Sequence, residues 1–187
     1  LYKSTHLYVP GSEDEQTLAA NNLKSTLFID TDKKASNGVV HIVDAVIGLP
    51  TVVTFAVADP TFETLVAALT RADHTTDYVA TLSAATAPSP FTVFAPTNEA
   101  FGALLIETNI PTLGDIPLDL LESTLNTHVI GFLNARAEDL MQDQVLATLG
   151  SSLTVSLTDG PQLIDENGRV ANIIVTNVQA YNGVVHV

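Results

Sequence analysis

The pentapeptide Asn-Gly-Val-Val-His occurs twice, at Asn37 to His41 and at Asn182 to His186, 145 positions apart. Solenoid repeats recur every 20 to 50 residues or so, whereas a unit of this length encloses a core of its own. A second landmark agrees: Ser4-Thr5-His6-Leu7 precedes the first pentapeptide and Asn126-Thr127-His128-Val129 the second. His6 to Asn37 is 31 residues and His128 to Asn182 is 54, so the first unit is 23 residues shorter over this interval. Its front half also has no counterpart. Residues 1–50 are therefore expected to be the C-terminal part of a preceding domain, and residues 51–187 a nearly complete one. Neither end reads as a natural boundary, and a leader or anchor outside the chain is left open. Losing a hairpin would leave unpaired ladder groups, so the shortfall is expected to mark a break in the chain between Thr31 and Lys34.

With 46% apolar and 15% charged residues among 187, the chain has material for an ordinary core. Twenty-one acids against seven Lys and Arg leave a net charge of −14, which repels phosphate backbones and anionic lipid headgroups. No nucleic-acid partner is expected. The absence of cysteine excludes disulfides, thiol nucleophiles and thiolate metal sites. The most apolar run, Val46 to Ala58, is 13 residues long and contains Pro50, well short of the roughly 18–20 needed to span a bilayer. No membrane span is expected.

Asp59-Pro60 reads as an N-cap followed by proline at the first helical position, and Phe62, Leu65, Val66 and Leu69 recur at helical spacing. This predicts a helix from Pro60 to Ala72. A short helix is expected over Asp77 to Ser83. Phe91-Thr92-Val93-Phe94-Ala95 is a strand by composition and runs into Thr97, a helix cap with Glu99 in the first turn. Leu118, Leu121 and Leu125 define a helix over Pro117 to Asn126, and Ala137 to Leu146 reads as a further short helix or turn. From Leu153 the pattern alternates, with turns at Asp159-Gly160 and Asn167-Gly168 and a strand from Val170 to Val178, which makes a β-meander. Asn37-Gly38 and Asn182-Gly183 supply turns before the repeated valines. Helices first and strands later is an α+β arrangement.

Three stretches carry a family resemblance: Phe91-Thr-Val-Phe-Ala-Pro-Thr-Asn-Glu-Ala-Phe101, the Thr-His-Val around His128, and Asn182-Gly-Val-Val-His186. Together they resemble the signatures of fasciclin domains, and residues 1–50 resemble the rear half of a preceding fasciclin domain. The resemblance implies a helical front half packed on a mostly antiparallel β-sheet or β-sandwich. It marks Phe94, Pro96, Thr97, Phe101, His128, Asn182, Gly183 and His186 as structural signature residues, with His6, Asn37, Gly38 and His41 in the first unit. It further implies a noncatalytic extracellular, cell-surface or periplasmic module for adhesion or matrix association, with a protein or glycan partner and a neighbouring fasciclin-like domain in the same chain. Thr5 and Thr127 stand where an aromatic often precedes the histidine, so an adhesive Tyr-His pair is not implied. Thr176 to Ala180 lacks the Asp of the integrin-binding motifs found at this place in animal members, so integrin binding is not implied either.

The residues themselves point away from catalysis and from any cofactor or metal. No repeated histidine is accompanied by a His-x-x-x-His spacing or a carboxylate at ligand spacing, and each lies in an apolar context such as Val-Val-His-Val. The expectation for His128 and His186 is a buried imidazole bonded to a backbone carbonyl. His74, between Asp73 and Asp77, reads as solvated. Gly150-Ser151-Ser152 lacks the second glycine of a nucleophile elbow. Glu138, Asp139 and Asp143 fit one helical face, read as solvated surface. Asp165-Glu166-Asn167-Gly168 reads as a hairpin turn, because a calcium loop with this glycine would place Leu163 at its first ligand position. The alternative function is an enzyme or small-ligand binder whose site is assembled from scattered carboxylates and His128.

Overall fold

The computed structural model describes residues 7–8, 26–43 and 50–187. His6 lies outside them. The chain divides into two compact units, Leu1–Leu49 and Pro50–Val187.

In the first unit, β1 (Leu7–Tyr8) runs parallel to β2 (Thr26–Ala35), which pairs antiparallel with β3 (Gly38–Val43). The expected break at Thr31 to Lys34 falls inside β2, which continues as strand through all four residues. Within β2 the pairing shifts register between Phe28 and Asp30 and again between Asp30 and Lys33, as an extra residue on one strand of a pair does.

The second unit opens with α1 (Val52–Ala58), a helix that the sequence reading missed. Thr51 starts it with a reciprocal capping box to Thr54. Asp59 then caps a 3₁₀ turn at Pro60–Phe62 that leads into α2 (Glu63–Leu69), so the helix expected to reach Ala72 ends three residues early. There Thr70 turns its hydroxyl back to the Val66 carbonyl, at 2.8 Å. A 102° bend separates α1 from the following helical stretch, and among the described residues no single helix is long and apolar enough to cross a membrane. α3 (Tyr78–Ser83) is capped by Asp77. β4 (Phe91–Phe94) passes into α4 (Asn98–Thr108) through the Thr97 cap, and α5 (Leu118–Thr127) leads into the two-residue strand β5 (Val129–Ile130).

Where a helix or turn was expected over Ala137 to Leu146, only Ala137–Asp139 is helical, as a 3₁₀ turn, and β6 (Val145–Leu146) is a strand. The meander follows as β7 (Leu153–Ser156), β8 (Gln162–Ile164) and β9 (Val170–Asn172), shorter at its end than the run to Val178. Asp165 Oδ1 holds the last hairpin turn by accepting from the Asn167 and Arg169 amides, with Gly168 at φ 78°. The chain closes with the hairpin β10 (Val178–Ala180) and β11 (Gly183–His186).

The strands form two sheets in this unit, ordered β10-β11-β4-β5 and β6-β7-β8-β9. The first is mixed, because β11 and β4 run parallel while its other pairs are antiparallel. It lies between the two cores. Phe91, Val129 and Val185 join the helical residues Phe62, Leu65, Leu121 and Leu125 on one side. Phe94 and Ile130 join Leu146, Leu153, Val155 and Leu163 of the meander sheet on the other. Strand alternation therefore divides one apolar strand between two cores, which is why β11 is buried at all four positions.

Each unit repeats one hairpin in one register. Ala180 pairs with Gly183 across the loop Tyr181-Asn182, and Ala35 pairs with Gly38 across Ser36-Asn37. The glycine is thus the first strand residue and not part of the turn. A Cβ on Gly183 would collide with the Phe91 carbonyl oxygen and lie 2.8 Å from its nitrogen, whereas a Cβ on Gly38 has nothing within 4 Å. Gly183→Ala should lower stability by at least about 2 kcal/mol through forced backbone separation. Gly38→Ala should stay within about 0.5 kcal/mol. Urea unfolding of the two variants checks the contrast.

Candidate functional site

Of the signature residues in the second unit, Phe94, Asn182, Gly183 and His186 lie on or beside the central sheet, Pro96, Thr97 and Phe101 at the start of α4 and His128 at the end of α5, while Asn37, Gly38 and His41 belong to the first unit. Asn182 is buried, with its Oδ1 accepting from the Val52 amide at 3.0 Å and its Nδ2 donating to the carbonyls of Leu82 and Ala84 at 2.8 and 2.9 Å. Gly183 admits the Phe91 backbone beside it. Thr97 accepts from the Ala100 amide, and its neighbour Asn98 accepts from the Thr64 amide and donates to the Pro60 carbonyl. Pro96 stands between β4 and this cap, and Phe101 is buried in the helical core.

His186 is fully buried and stacked on Phe94, with ring centroids 5.6 Å apart. Its Nε2 donates to the Ala135 carbonyl at 2.9 Å, while Nδ1 is buried without a partner. The neutral tautomer protonated at Nε2 is the one this geometry accommodates. Burial holds the imidazole below the ordinary histidine range, against the opposing pull of the Ala135 carbonyl. His128, at the end of α5, is half-buried and donates from Nδ1 to the Thr124 carbonyl at 2.8 Å; burial depresses its titration too.

His74 differs from expectation. Its side chain is only 5% exposed, with Nδ1 at 3.2 Å from Glu122 and Nε2 at 2.7 Å from the Ala68 carbonyl. Its sequence neighbour Asp73 pairs instead with Arg71. The carboxylate that meets His74 comes from α5, and it also accepts from the amide and hydroxyl of Thr75; the Thr75 amide chiefly holds Glu122 below the usual carboxylate range. Tyr78 packs edge-on against the His74 ring, its centroid 4.9 Å away. This cluster fastens the turn before α3 to α5. Its only signal in the sequence was the pairing of a turn histidine with an acid 48 residues on, which local spacing does not reveal.

The remaining acids do not assemble into the anticipated helical face. Asp139 accepts from the Arg136 amide, Glu138 accepts from Asn177 at 2.8 Å, and Asp143 lies beyond the 3₁₀ turn at φ 59°. Asn177, in the stretch compared with integrin-binding motifs, is itself left-handed at φ 61° and accepts from the Ala137 amide, so it acts as a loop joint. His128 lines an apolar cavity of about 30 Å³ with Val52, Phe55, Leu65 and Phe94, and its walls include no carboxylate. That volume accommodates about one water molecule. A shallower groove beside His74 includes the Asp77 carboxylate, which is engaged as the α3 cap.

A model of the fasciclin domain matches residues 60–187. The chain belongs to the fasciclin-domain family. This fasciclin-domain chain is similar to Protein sll1483 of Synechocystis sp., 36% identical over 137 residues that cover 73% of this chain and 69% of that protein. It is also similar to transforming growth factor-beta-induced protein ig-h3 of Sus scrofa, 32% identical over 84% of this chain but only 22% of that protein. Among solved structures, a FAS1 domain pair from the insect cell adhesion molecule fasciclin I shares the fold, with a TM-score of 0.60 at 21% identity over 87% of this chain and 57% of that one.

The fasciclin-domain histidines generate a pH prediction. His128 and His186 titrate below the ordinary value of about 6.5 when folded and near it when unfolded. As pH falls below about 6.5 the unfolded chain takes up protons that the folded chain refuses, so stability drops with acid. The melting temperature should decline between pH 6.5 and 5, before the carboxylates titrate. The decline should be shallower in a His128→Gln, His186→Gln double variant, measured by calorimetry across that range.

Proposed function

We propose that this fasciclin-domain protein is a noncatalytic adhesion or matrix-association module, acting outside the cell or at its surface and engaging a protein or glycan. In the same reading, residues 1–50 are the rear part of a preceding fasciclin-like domain. Family membership supports the adhesive class. One local observation supports a contact face: Phe132 has φ 61° and is 71% exposed. A bulky residue in the left-handed region is an outlier, costing about 1 kcal/mol or more, and such strain concentrates at functional surfaces.

The surroundings impose this conformation. The Phe132 amide donates to the Pro88 carbonyl at 2.6 Å and the Leu133 amide to the Pro90 carbonyl at 2.9 Å. Thr92 accepts from the Ala135 amide and donates to the Leu133 carbonyl, and His186 holds the Ala135 carbonyl. Signature residues thereby clamp the segment that presents Phe132. A Cβ on Gly131 would lie 3.5 Å from Leu149 and 3.2 Å from Pro88, which places exposed Leu149 beside the same loop. An exposed aromatic on a hydrogen-bonded loop, with exposed Leu133 next to it in sequence and Leu149 beside the loop, suits a protein hot spot or stacking on a sugar face.

The full chain should bind a member of a matrix-protein and glycan array at physiological salt, where nonspecific charge attraction is screened. Phe132→Gly should reduce that binding severely while raising stability by about 1 kcal/mol, since glycine relieves the strain. Unchanged binding by Phe132→Gly would remove this loop as the contact face. Loss of binding in His128→Ala with an unchanged melting temperature would favour the small-ligand alternative.

A further inference from the structure

The three histidines of the second unit differ in what faces their ring nitrogens. His186 donates to the Ala135 carbonyl and His128 to the Thr124 carbonyl, so a single ring proton serves each. His74 meets two oxygens. Its Nε2 lies 2.7 Å from the carbonyl of Ala68, and its Nδ1 lies 3.2 Å from Glu122 Oε1 on α5. Ala68 stands in the last turn of α2, where helix carbonyls lack intrahelical donors, and a carbonyl can only accept. Glu122 Oε1 already accepts from the Thr75 amide at 2.7 Å, and the Thr75 hydroxyl donates to the same carboxylate at 2.8 Å. It is therefore an acceptor toward His74 as well. A neutral imidazole has one N–H and one lone pair, and whichever nitrogen lacked its proton would turn that lone pair against an oxygen. Both contacts are hydrogen bonds only in the doubly protonated ring.

We propose that His74 is a pH-sensitive latch joining α2, the turn at residues 70–77 and α5, closed with the ring doubly protonated and released when it gives up one proton. The charged groups around the ring are Glu122 from α5 and Arg71, Asp73 and Asp77 from its own turn. Three carboxylates against one guanidinium favour a cation at this place. Two of the carboxylates are engaged elsewhere: Asp73 pairs with Arg71, and Asp77 caps α3 at the Ala80 amide. Glu122 is thus the direct counter-charge. On α3 the titratable neighbour is Tyr78, edge-on to the ring, with its hydroxyl donating to Asn126. The last turn of α2 brings its carbonyl and no charged side chain. Loss of one proton leaves either the Ala68 carbonyl or the Glu122 carboxylate without its donor, in a pocket where a side chain this deeply buried gives water little access to replace the bond. The turn is then held to α5 through Thr75 alone. It also walls a groove of about 350 Å³ with Leu69 and Val79, so release of the latch reshapes that groove. The adhesive role of Phe132 plays no part in this device.

The test follows the full 187-residue chain by NMR from pH 5 to 9, recording the ring nitrogens of His74 and the backbone amides of residues 70–78. Both ring nitrogens should carry hydrogen at pH 5, and loss of one proton should move the Thr75 and Tyr78 amides in the same transition as the ring. Glu122→Gln keeps an oxygen for Thr75 and removes the counter-charge, so the transition should fall about one pH unit lower. His74→Gln should leave the turn amides without that transition. The proposal is overturned by a His74 ring that is singly protonated at pH 5 in the folded chain, by turn amides that do not follow the ring, or by a Glu122→Gln transition at the same or a higher pH.

Discussion

The buried amide of Asn182 is the joint on which the second unit depends. Its oxygen takes the first amide of α1, its nitrogen serves the carbonyls that end α3, and its own carbonyl accepts from Phe91 and Ser89. One side chain thus satisfies groups that helix termini leave without intrahelical partners. α1, α2 and α3 have seven, seven and six residues, lengths at which isolated helices do not persist in water. They persist here because Asn182 fixes ends of α1 and α3, Asn98 holds the first turn of α2, and their apolar sides pack in one core with the central sheet. Removing the amide would leave buried donors and acceptors unpaired, which costs far more than the net value of the bonds themselves.

From this joint the chain runs directly into the strand that separates the two cores. Gly183 lets β4 approach, Val185 faces the helices, and His186 faces the meander, where it stacks on Phe94. The histidine is the sole ionisable group on that strand, and its neutral form is the one that burial favours. It also reaches the Ala135 carbonyl while Thr92 takes the Ala135 amide, so two central strands grip the same residue from adjacent positions. Three residues upstream, the left-handed turn at Phe132 is held by the Pro88 and Pro90 carbonyls. The buried end of β11 is thereby tied through Ala135 to the loop that carries exposed Phe132.

Local chemistry was legible in the sequence, and nonlocal chemistry was not. The caps at Asp77 and Thr97, the strand from Phe91 and the Asn167-Gly168 turn depend on neighbours within a few residues, and each is where composition placed it. α1 escaped notice because its run of β-branched and aromatic residues has weak helical preference; the Thr51 cap and the distant Asn182 stabilise it. β5 and β6 are two residues each, too short for any periodicity to register. His74 read as solvated because its flanking aspartates are hydrophilic, yet its partner lies on α5 and its cover is Tyr78. Phe132 carried no signal at all, since left-handed backbone at a bulky residue is imposed by the Pro88 and Pro90 carbonyls.

The repeated pentapeptide separates these two kinds of information within a single chain. In both units it forms the same hairpin in the same register, so the loop and the pairing of glycine with alanine are written into the local sequence. Burial differs completely between the two, because it is conferred by β4 and the two cores and by nothing within the pentapeptide. Gly183 is required where a backbone crosses it, whereas Gly38 meets nothing. A residue pattern shaped by burial on both faces therefore appears, in the first unit, on a strand whose Val39 and Val40 are half exposed. The pentapeptide by itself thus carries the hairpin and its register, and burial on both faces comes only from the neighbours that β4 and the two cores supply to β11.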